Sequence, residues 1–185
     1  AASGLVGYWP MDEGSGTTAQ DLSGNGNVGT WNGTGTHYNA GKVGSYAGEM
    51  HPATGDYFLV PASPYVNNLS AFTIVGWMKP STWHHVTTLI DKGPEVAAQH
   101  FWVGWWGGGN NRMAIELGDS SGYLTNYGSA GLTWNNDNWY FVGVTLDDAV
   151  KTYKHFYNGQ SAGSGTYSSG RSFNSGTYNI SIGTY

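Results

Sequence analysis

Apolar and polar residues alternate along most of this chain with a period of two, and no segment sustains the 3.6-residue period of an amphipathic helix. Phe72 to Met78 alternates between two faces and stops at Lys79-Pro80. Met113, Ile115 and Leu117 share one face, with Ala114 and Glu116 on the other, as a strand requires. Leu5 to Trp9, Tyr57 to Val60 before Pro61, Val86 to Ile90 before Asp91-Lys92-Gly93, and Phe101 to Trp106 read as further strands. Trp139 to Leu146 carries the strongest signal. Asp147-Asp148 turns it back into Thr152 to Tyr157, and Asn158-Gly159 then marks a hairpin turn. Tyr178 to Gly183 alternates again near the end. The best helix candidate, Glu95 to His100, spans one or two turns. Gly107 to Asn111 reads as a hairpin connection. Two stretches read as turns and loops: Asp12 to Gly35, dense in Gly, Asn, Ser and Thr, and Ser161 to Gly176, rich in Ser and Gly without a period. Many short strands with no helix between them predict an all-β fold, an antiparallel two-sheet sandwich or jelly roll, in one domain over 1–185.

Composition narrows the function. The absence of Cys excludes disulfides, thiolate metal sites and cysteine nucleophiles. No apolar run is long enough for a membrane-spanning helix. Charged residues are only 10%, and the 30 Gly, 9 Trp and 13 Tyr go with a surface wetted by Ser, Thr and Asn. That bias suits strands and turns, and it suits an exported protein, so a secreted, extracellular setting is expected. Ala1-Ala2-Ser3-Gly4 carries no basic or apolar targeting stretch. With 12 acids against 7 bases and a net charge of −5, the chain lacks the basic face that nucleic acid requires.

Candidate chemistry lies in the aromatics and the acidic opening. Trp9, Trp77 and Trp139 sit inside strand blocks and are expected in the core; Trp31 and Trp134 sit in loops, as lids on the sandwich edges. Trp105 and Trp106 end a strand, and successive strand residues point oppositely, so one of the pair is expected to face outward. Trp83 lies with His84 and His85 between strands. An indole stacks on the apolar face of a sugar ring while His, Asn and Arg meet its hydroxyls. Trp83, His84, Trp105, Trp106, Asn110 and Arg112 are therefore the expected ligand-binding residues. Asp12, Glu13, Asp21 and Asn25 admit two readings: hard oxygen ligands for calcium, or turn chemistry beside glycine.

Four blocks carry a resemblance. The first is Gly4-Leu5-Val6-Gly7-Tyr8-Trp9-Pro10-Met11-Asp12-Glu13-Gly14-Ser15-Gly16 with Asp21-Leu22-Ser23-Gly24-Asn25-Gly26-Asn27; the second is Gly41-Lys42-Val43-Gly44, and the third Phe72 to Pro80. The fourth is Trp139-Tyr140-Phe141-Val142-Gly143-Val144 with Tyr157-Asn158-Gly159. In this order they resemble laminin-G-like jelly rolls of the concanavalin A-like lectin/glucanase superfamily, over nearly the whole chain. The resemblance implies a concanavalin A-like sandwich and favours calcium at Asp12, Glu13, Asp21 and Asn25, because such domains often hold the ion near this block. It also implies a closing strand with an acidic pair after Ser181-Ile182-Gly183, which this chain is expected to lack.

Enzymes share this fold, so the residues must decide. The glutamates are Glu13, Glu49, Glu95 and Glu116, and the Glu-x-Asp-x-x-Glu motif of the superfamily's glucanases is absent. Retaining hydrolysis needs two carboxylates about 5 Å apart, whereas Glu116 and Asp119 on a strand face opposite sides. Blocks similar to those of alginate lyases occur in the wrong order. Gly-x-Ser-x-Gly at 118–122 and 159–163 leads into no helix, which a nucleophile elbow requires. The reading is a non-catalytic, lectin-like module of a larger secreted protein, its partners a polysaccharide or glycan and the neighbouring domains. The alternative is a protein-binding or structural laminin-G-like module; a polysaccharide lyase or glycoside hydrolase ranks below both.

Overall fold

β-branched and aromatic residues at alternate positions build strands that bury one face and wet the other. In the computed structural model the described residues are 4–81, 86–93, 100–106, 112–119, 121–129, 131–167 and 170–183. Among them run β1 (Thr18–Ala19), β2 (Gly29–Asn32), β3 (Tyr38–Ala40), β4 (Tyr46–Gly48), β5 (Tyr57–Val60), β6 (Ala71–Met78) and β7 (Val86–Lys92). The second half adds β8 (His100–Trp106), β9 (Arg112–Asp119), β10 (Gly122–Gly128), β11 (Tyr140–Asp147), β12 (Thr152–Tyr157), β13 (Gln160–Thr166) and β14 (Ile180–Ile182). One sheet has the order β1-β2-β5-β14-β7-β8-β9-β10, the other β13-β12-β11-β6, and β3-β4 forms a separate hairpin. The predicted antiparallel sandwich is what forms.

The two sheets meet through alternate side chains. Val142, Val144 and Leu146 of β11 and Phe101, Val103 and Trp105 of β8 are buried in one core with Met113, Ile115 and Leu117 of β9. Phe72 crosses between the sheets to Phe101, ring centroids 4.7 Å apart. Gly29 is required where it stands: a Cβ there would fall 1.9 Å from the ring of Phe58, which fills the space instead. Asn158 and Gly159, at φ 49° and 79°, form the expected hairpin turn, both in the left-handed region that Asn and Gly tolerate.

Several expectations are corrected. Leu5 to Trp9 joins no ladder: Asp21 takes the amide of Tyr8, and the carbonyl of Tyr8 accepts from Leu22, so loop partners replace a neighbouring strand. Strands β1 and β2 lie in the stretch that reads as turn, and β13 occupies the start of the Ser/Gly-rich stretch, because pairing with β12 supplies the order that its composition lacks. Strand β10 emerges through pairing with β9 where no strand is expected. The helix candidate from Glu95 to Gln99 and the connection from Gly107 to Asn111 lie outside the described residues, while His100 opens β8.

Two bases are sealed in the interior. Lys92 is fully buried and donates to Asn67 Oδ1 at 3.1 Å and to the carbonyl of Tyr178, which ties β7 to two loops. Burial lowers its pKa to about 8. His155 is 0% exposed, stands edge-on to Tyr153, and neither ring nitrogen has a hydrogen-bond partner among the described residues. Burial lowers its pKa to about 4.

The sign of the pH dependence follows. An unfolded imidazole titrates near ~6.5, above the folded value, so the unfolded chain takes up the proton first and stability is lost as pH falls. Between pH ~6.5 and ~4 the loss reaches roughly 3 kcal/mol. Denaturant titrations across that range are expected to show the slope in the native chain and to lose it in His155→Leu. Asp21, Asp56, Asp119 and Asp148, held below the usual aspartate value by hydrogen bonds, withdraw their contribution only below about pH 4, as the unfolded carboxylates protonate first.

Candidate functional site

At one end of the four-stranded sheet, the segment 131–139 enters β11 and encloses an open groove. Its lining is Lys42, Thr133, Asn135, Asp137, Asn138, Trp139, Tyr140 and Tyr157, around a volume of about 550 Å3. Buried Trp134 anchors the segment, packing edge-on against Tyr140 and Tyr157, each with its ring centroid 4.7 Å away. The hydroxyl of Tyr140 accepts from the amide of Asn135 at 2.7 Å, and that of Tyr157 donates to the carbonyl of Thr133 at 2.6 Å. Burial, with Tyr140 beside it, raises the pKa of Tyr157, so its phenol stays protonated and keeps donating at neutral pH.

The rest of the segment is held as firmly. Asp137 sits at φ 60° and donates its amide to the carbonyl of Pro80 at 2.7 Å. A left-handed non-glycine residue costs on the order of 1 kcal/mol and persists only where its surroundings hold it. Asn158 of the hairpin turn accepts from the amide of Phe141 at 3.0 Å and donates its own amide to the carbonyl of Phe141 at 2.7 Å. The turn that closes β12 therefore also fixes the first residues of β11 and the groove beside them.

The solvent face of the sheet continues the site. Strand β6 pairs with β11 so that Trp77 lies opposite Phe141 and Val75 opposite Gly143. Trp77 is 43% exposed and Val75 58%, while Phe72, Ile74 and Met78 on the alternate parity pack on the core. Trp77 and Phe141 have centroids 5.3 Å apart. Gly143 keeps the floor low, since a Cβ there would stand 3.0 Å from Val75 Cγ1 and 3.7 Å from Phe156 Cβ. The ammonium of Lys42 lies over Trp77 at 5.4 Å from the ring centroid, and that of Lys79 over Trp139 at 5.5 Å. Aromatic planes, amides, one carboxylate and two lysines thus share one wet surface.

Sequence reasoning places most of this differently. Trp77 and Trp139, expected in the core, are exposed and half-buried respectively; Trp9 does pack against the core, donating its indole N–H to the carbonyl of Asn27 at 2.7 Å. Trp31 and Trp134, expected as edge lids, are core residues. Trp105 is corrected outright as a ligand contact: it is 2% exposed because it shares parity with Phe101 and Val103 and packs on Trp134. Arg112 is exposed on β9, in the other sheet from the groove. Trp83, His84 and Asn110 lie outside the described residues, and Trp106 is placed by its backbone alone, paired with Arg112. The missed signal was available: Thr73, Val75, Trp77 and Lys79 share one parity, and its polar members mark the wet face.

Asp12, Glu13, Asp21 and Asn25 hold the chain itself together. Asp21 accepts from the amides of Tyr8, Ser23 and Asn27, occupying both carboxylate oxygens. Asp12 accepts from the amides of Ser45, before β4, and Tyr46, which opens it, and Glu13 from the Gln20 amide and the Tyr38 hydroxyl. Asn25 spends its amide on the carbonyls of Leu5 and Val6. Among the described residues no three His, Cys, Asp or Glu side chains converge to hold a metal ion. Burial pushes the pKa of Asp21 up, but hydrogen bonds from Ser23, Tyr8 and Asn27 outweigh it and the net shift is downward.

Residues 52–185 match the family model described as the concanavalin A-like lectin/glucanases superfamily. No curated protein sequence matches the chain. Among solved structures, domain 4 of AbnA, a GH43 extracellular arabinanase from Geobacillus stearothermophilus in complex with arabinotriose, superposes with a TM-score of 0.70 at 19% identity, covering 96% of this chain and 82% of that one. The binding domain of Paraclostridial mosquitocidal protein 1 gives 0.76 at 16% identity, covering 97% and 44%. The binding domain of botulinum neurotoxin DC in complex with SialylT gives 0.63 at 13%, covering 93% and 43%. The chain spans less than half the length of the two toxin domains.

A prediction follows for the acidic opening. Asp21→Ala leaves three amides without their carboxylate and is expected to cost about 2 kcal/mol, lowering the melting temperature by about 6 °C. Chelator is expected to leave the melting temperature of the native chain unchanged; a drop on chelation equal to that of Asp21→Ala would restore the calcium reading.

Proposed function

We propose a function for this chain as what it is, a member of the concanavalin A-like lectin/glucanases superfamily: it binds carbohydrate without cleaving it, as one module of a larger secreted protein. The observation that carries the reading is the groove itself. Trp139 and Tyr157 offer flat apolar surface, and Thr133, Asn135, Asp137 and Asn138 offer the donors and acceptors that sugar hydroxyls need. Such a division of apolar plane and polar rim is what a saccharide needs. The groove is open at the surface and prearranged by backbone hydrogen bonds, so binding orders little of the protein.

Cleavage lacks its groups there. Hydrolysis of a glycosidic bond draws on two carboxylates, and the groove lining contains one, Asp137. Structural neighbours support the reading at the level of fold: one is a domain of an arabinanase seen with arabinotriose, another a toxin binding domain seen with SialylT. The Ser-, Thr- and Asn-wetted surface supports an extracellular setting, and the likeness to parts of larger proteins supports neighbouring domains as partners.

Affinity at a surface groove is expected to be modest, because hydroxyls exchange water for protein at little net gain. The test is a polysaccharide array followed by titration of the best oligosaccharide. Trp139→Ala is expected to weaken binding about tenfold through loss of the stacking surface while leaving the melting temperature in place. Trp105→Ala is expected to lower the melting temperature first, since that ring is core. Glycan binding that survives Trp139→Ala unchanged would remove this groove as the site, and a chain that captures proteins but no glycan would favour the protein-binding alternative.

A further inference from the structure

The basic residues are few enough to follow one by one, and the outcome deepens the carbohydrate-binding reading, on which it rests. The chain has seven, five Lys and two Arg. Lys151 pairs with Asp148 at 2.8 Å, Arg171 is bound to Asp119, and Lys92 is sealed in the core. Arg112 stands on β9, in the other sheet. Lys42, Lys79 and Lys154 remain. None makes a salt bridge among the described residues, and all three lie on or beside the solvent face of the β6–β11–β12 sheet. In a chain of net charge −5, the unneutralised lysines gather at the aromatic site.

Their placement adds to their number. Lys42 and Lys79 each hover above an indole, Trp77 and Trp139, at 5.4 and 5.5 Å from the ring centroids. A π face attracts an ammonium without cancelling its charge, so each cation is held in place and stays available to an anion. Lys154, opposite Thr145 on β11, extends the same sign along the face. The exposed acid of β11, Asp147, lies at the far end of that strand, and Asp137 is the one carboxylate in the groove lining.

We propose that the glycan bound here is acidic: a saccharide carrying carboxylate or sulfate, its anionic group met by Lys42 and Lys79 while a ring lies at Trp139. Asp137, whose amide bonds the carbonyl of Pro80 beside Lys79, then accepts from the ring hydroxyls together with Asn135 and Asn138. Lysine meets an anion as a point charge rather than a planar fork, so carboxylate and sulfate share the chemistry and the experiment must separate them.

The probes are an oligogalacturonate, its carboxyl-reduced neutral counterpart, sialyllactose and a chondroitin sulfate oligosaccharide, titrated calorimetrically into the intact chain at about 20 mM and about 300 mM NaCl, which spans weak and strong screening. At least one acidic probe is expected to bind about tenfold tighter than the neutral one at low salt, with the preference collapsing at high salt and in Lys42→Gln/Lys79→Gln. Whichever arm shows it identifies a ring carboxylate, an exocyclic carboxylate or a sulfate. The proposal is overturned if the carboxyl-reduced sugar binds as tightly as every acidic probe, or if the preference survives both glutamines. Neutral binding that still depends on Trp139 leaves the carbohydrate reading standing; absence of binding to every acidic and neutral glycan removes both.

Discussion

Eight consecutive residue pairs tie β6 to β11, from Ala71 with Asp147 to Met78 with Tyr140, and that register settles which side of the sheet every ring occupies. Because side chains alternate along a strand, one burial decision propagates along the whole pair. Once Val142 and Val144 are inside, Phe141 and Gly143 are outside, and Trp77 and Val75 must lie beside them. A slip by one residue would bury Trp77 and expose Ile74. The wet aromatic surface is therefore a consequence of the core, produced by the same alternation that builds it.

The loops around this surface are ordered by polar groups in place of packing. Asp21, Asp12 and Asn25 act as surrogate backbone partners for segments that belong to no ladder, taking amides or carbonyls that would otherwise face water alone. Asn158 and the Tyr140 hydroxyl do the same at the groove. This explains how a chain with 10% charged residues and 30 Gly holds defined loops without disulfides. Asp21 satisfies three backbone groups and Asp12 and Asn25 two each, so few such side chains are needed.

The interior carries the reverse arrangement. Lys92 has neutral oxygen partners and His155 has no partner among the described residues, so neither is offset by a buried acid. Burying a base without a counter-charge disfavours its protonated form, which is why both titrate below their usual range. Among the described residues the cationic charge is thus suppressed in the core, cancelled at Lys151 and Arg171, and left without a salt bridge at Lys42, Lys79, Lys154 and Arg112. Three of those four serve the aromatic face.

Sequence alone determined the strand-rich sandwich, the positions of β5, β6, β11 and β12 to within a residue at each end, and the hairpin at Asn158-Gly159, because alternation and turn chemistry are local properties of neighbouring residues. It also pointed to indoles with polar partners as the working chemistry. It did not reach β10 or β13, whose Gly, Ser and Asn gain strand character only when β9 and β12 lie alongside. Nor did it decide which tryptophan is wet. Trp105 and Trp77 look alike in sequence, each inside an alternating strand, and alternation says that two faces exist without saying which one meets the other sheet. That choice is made by contacts between residues far apart in the chain, Trp105 with Trp134 and Trp77 with Phe141, and it exists only once the sheets have packed.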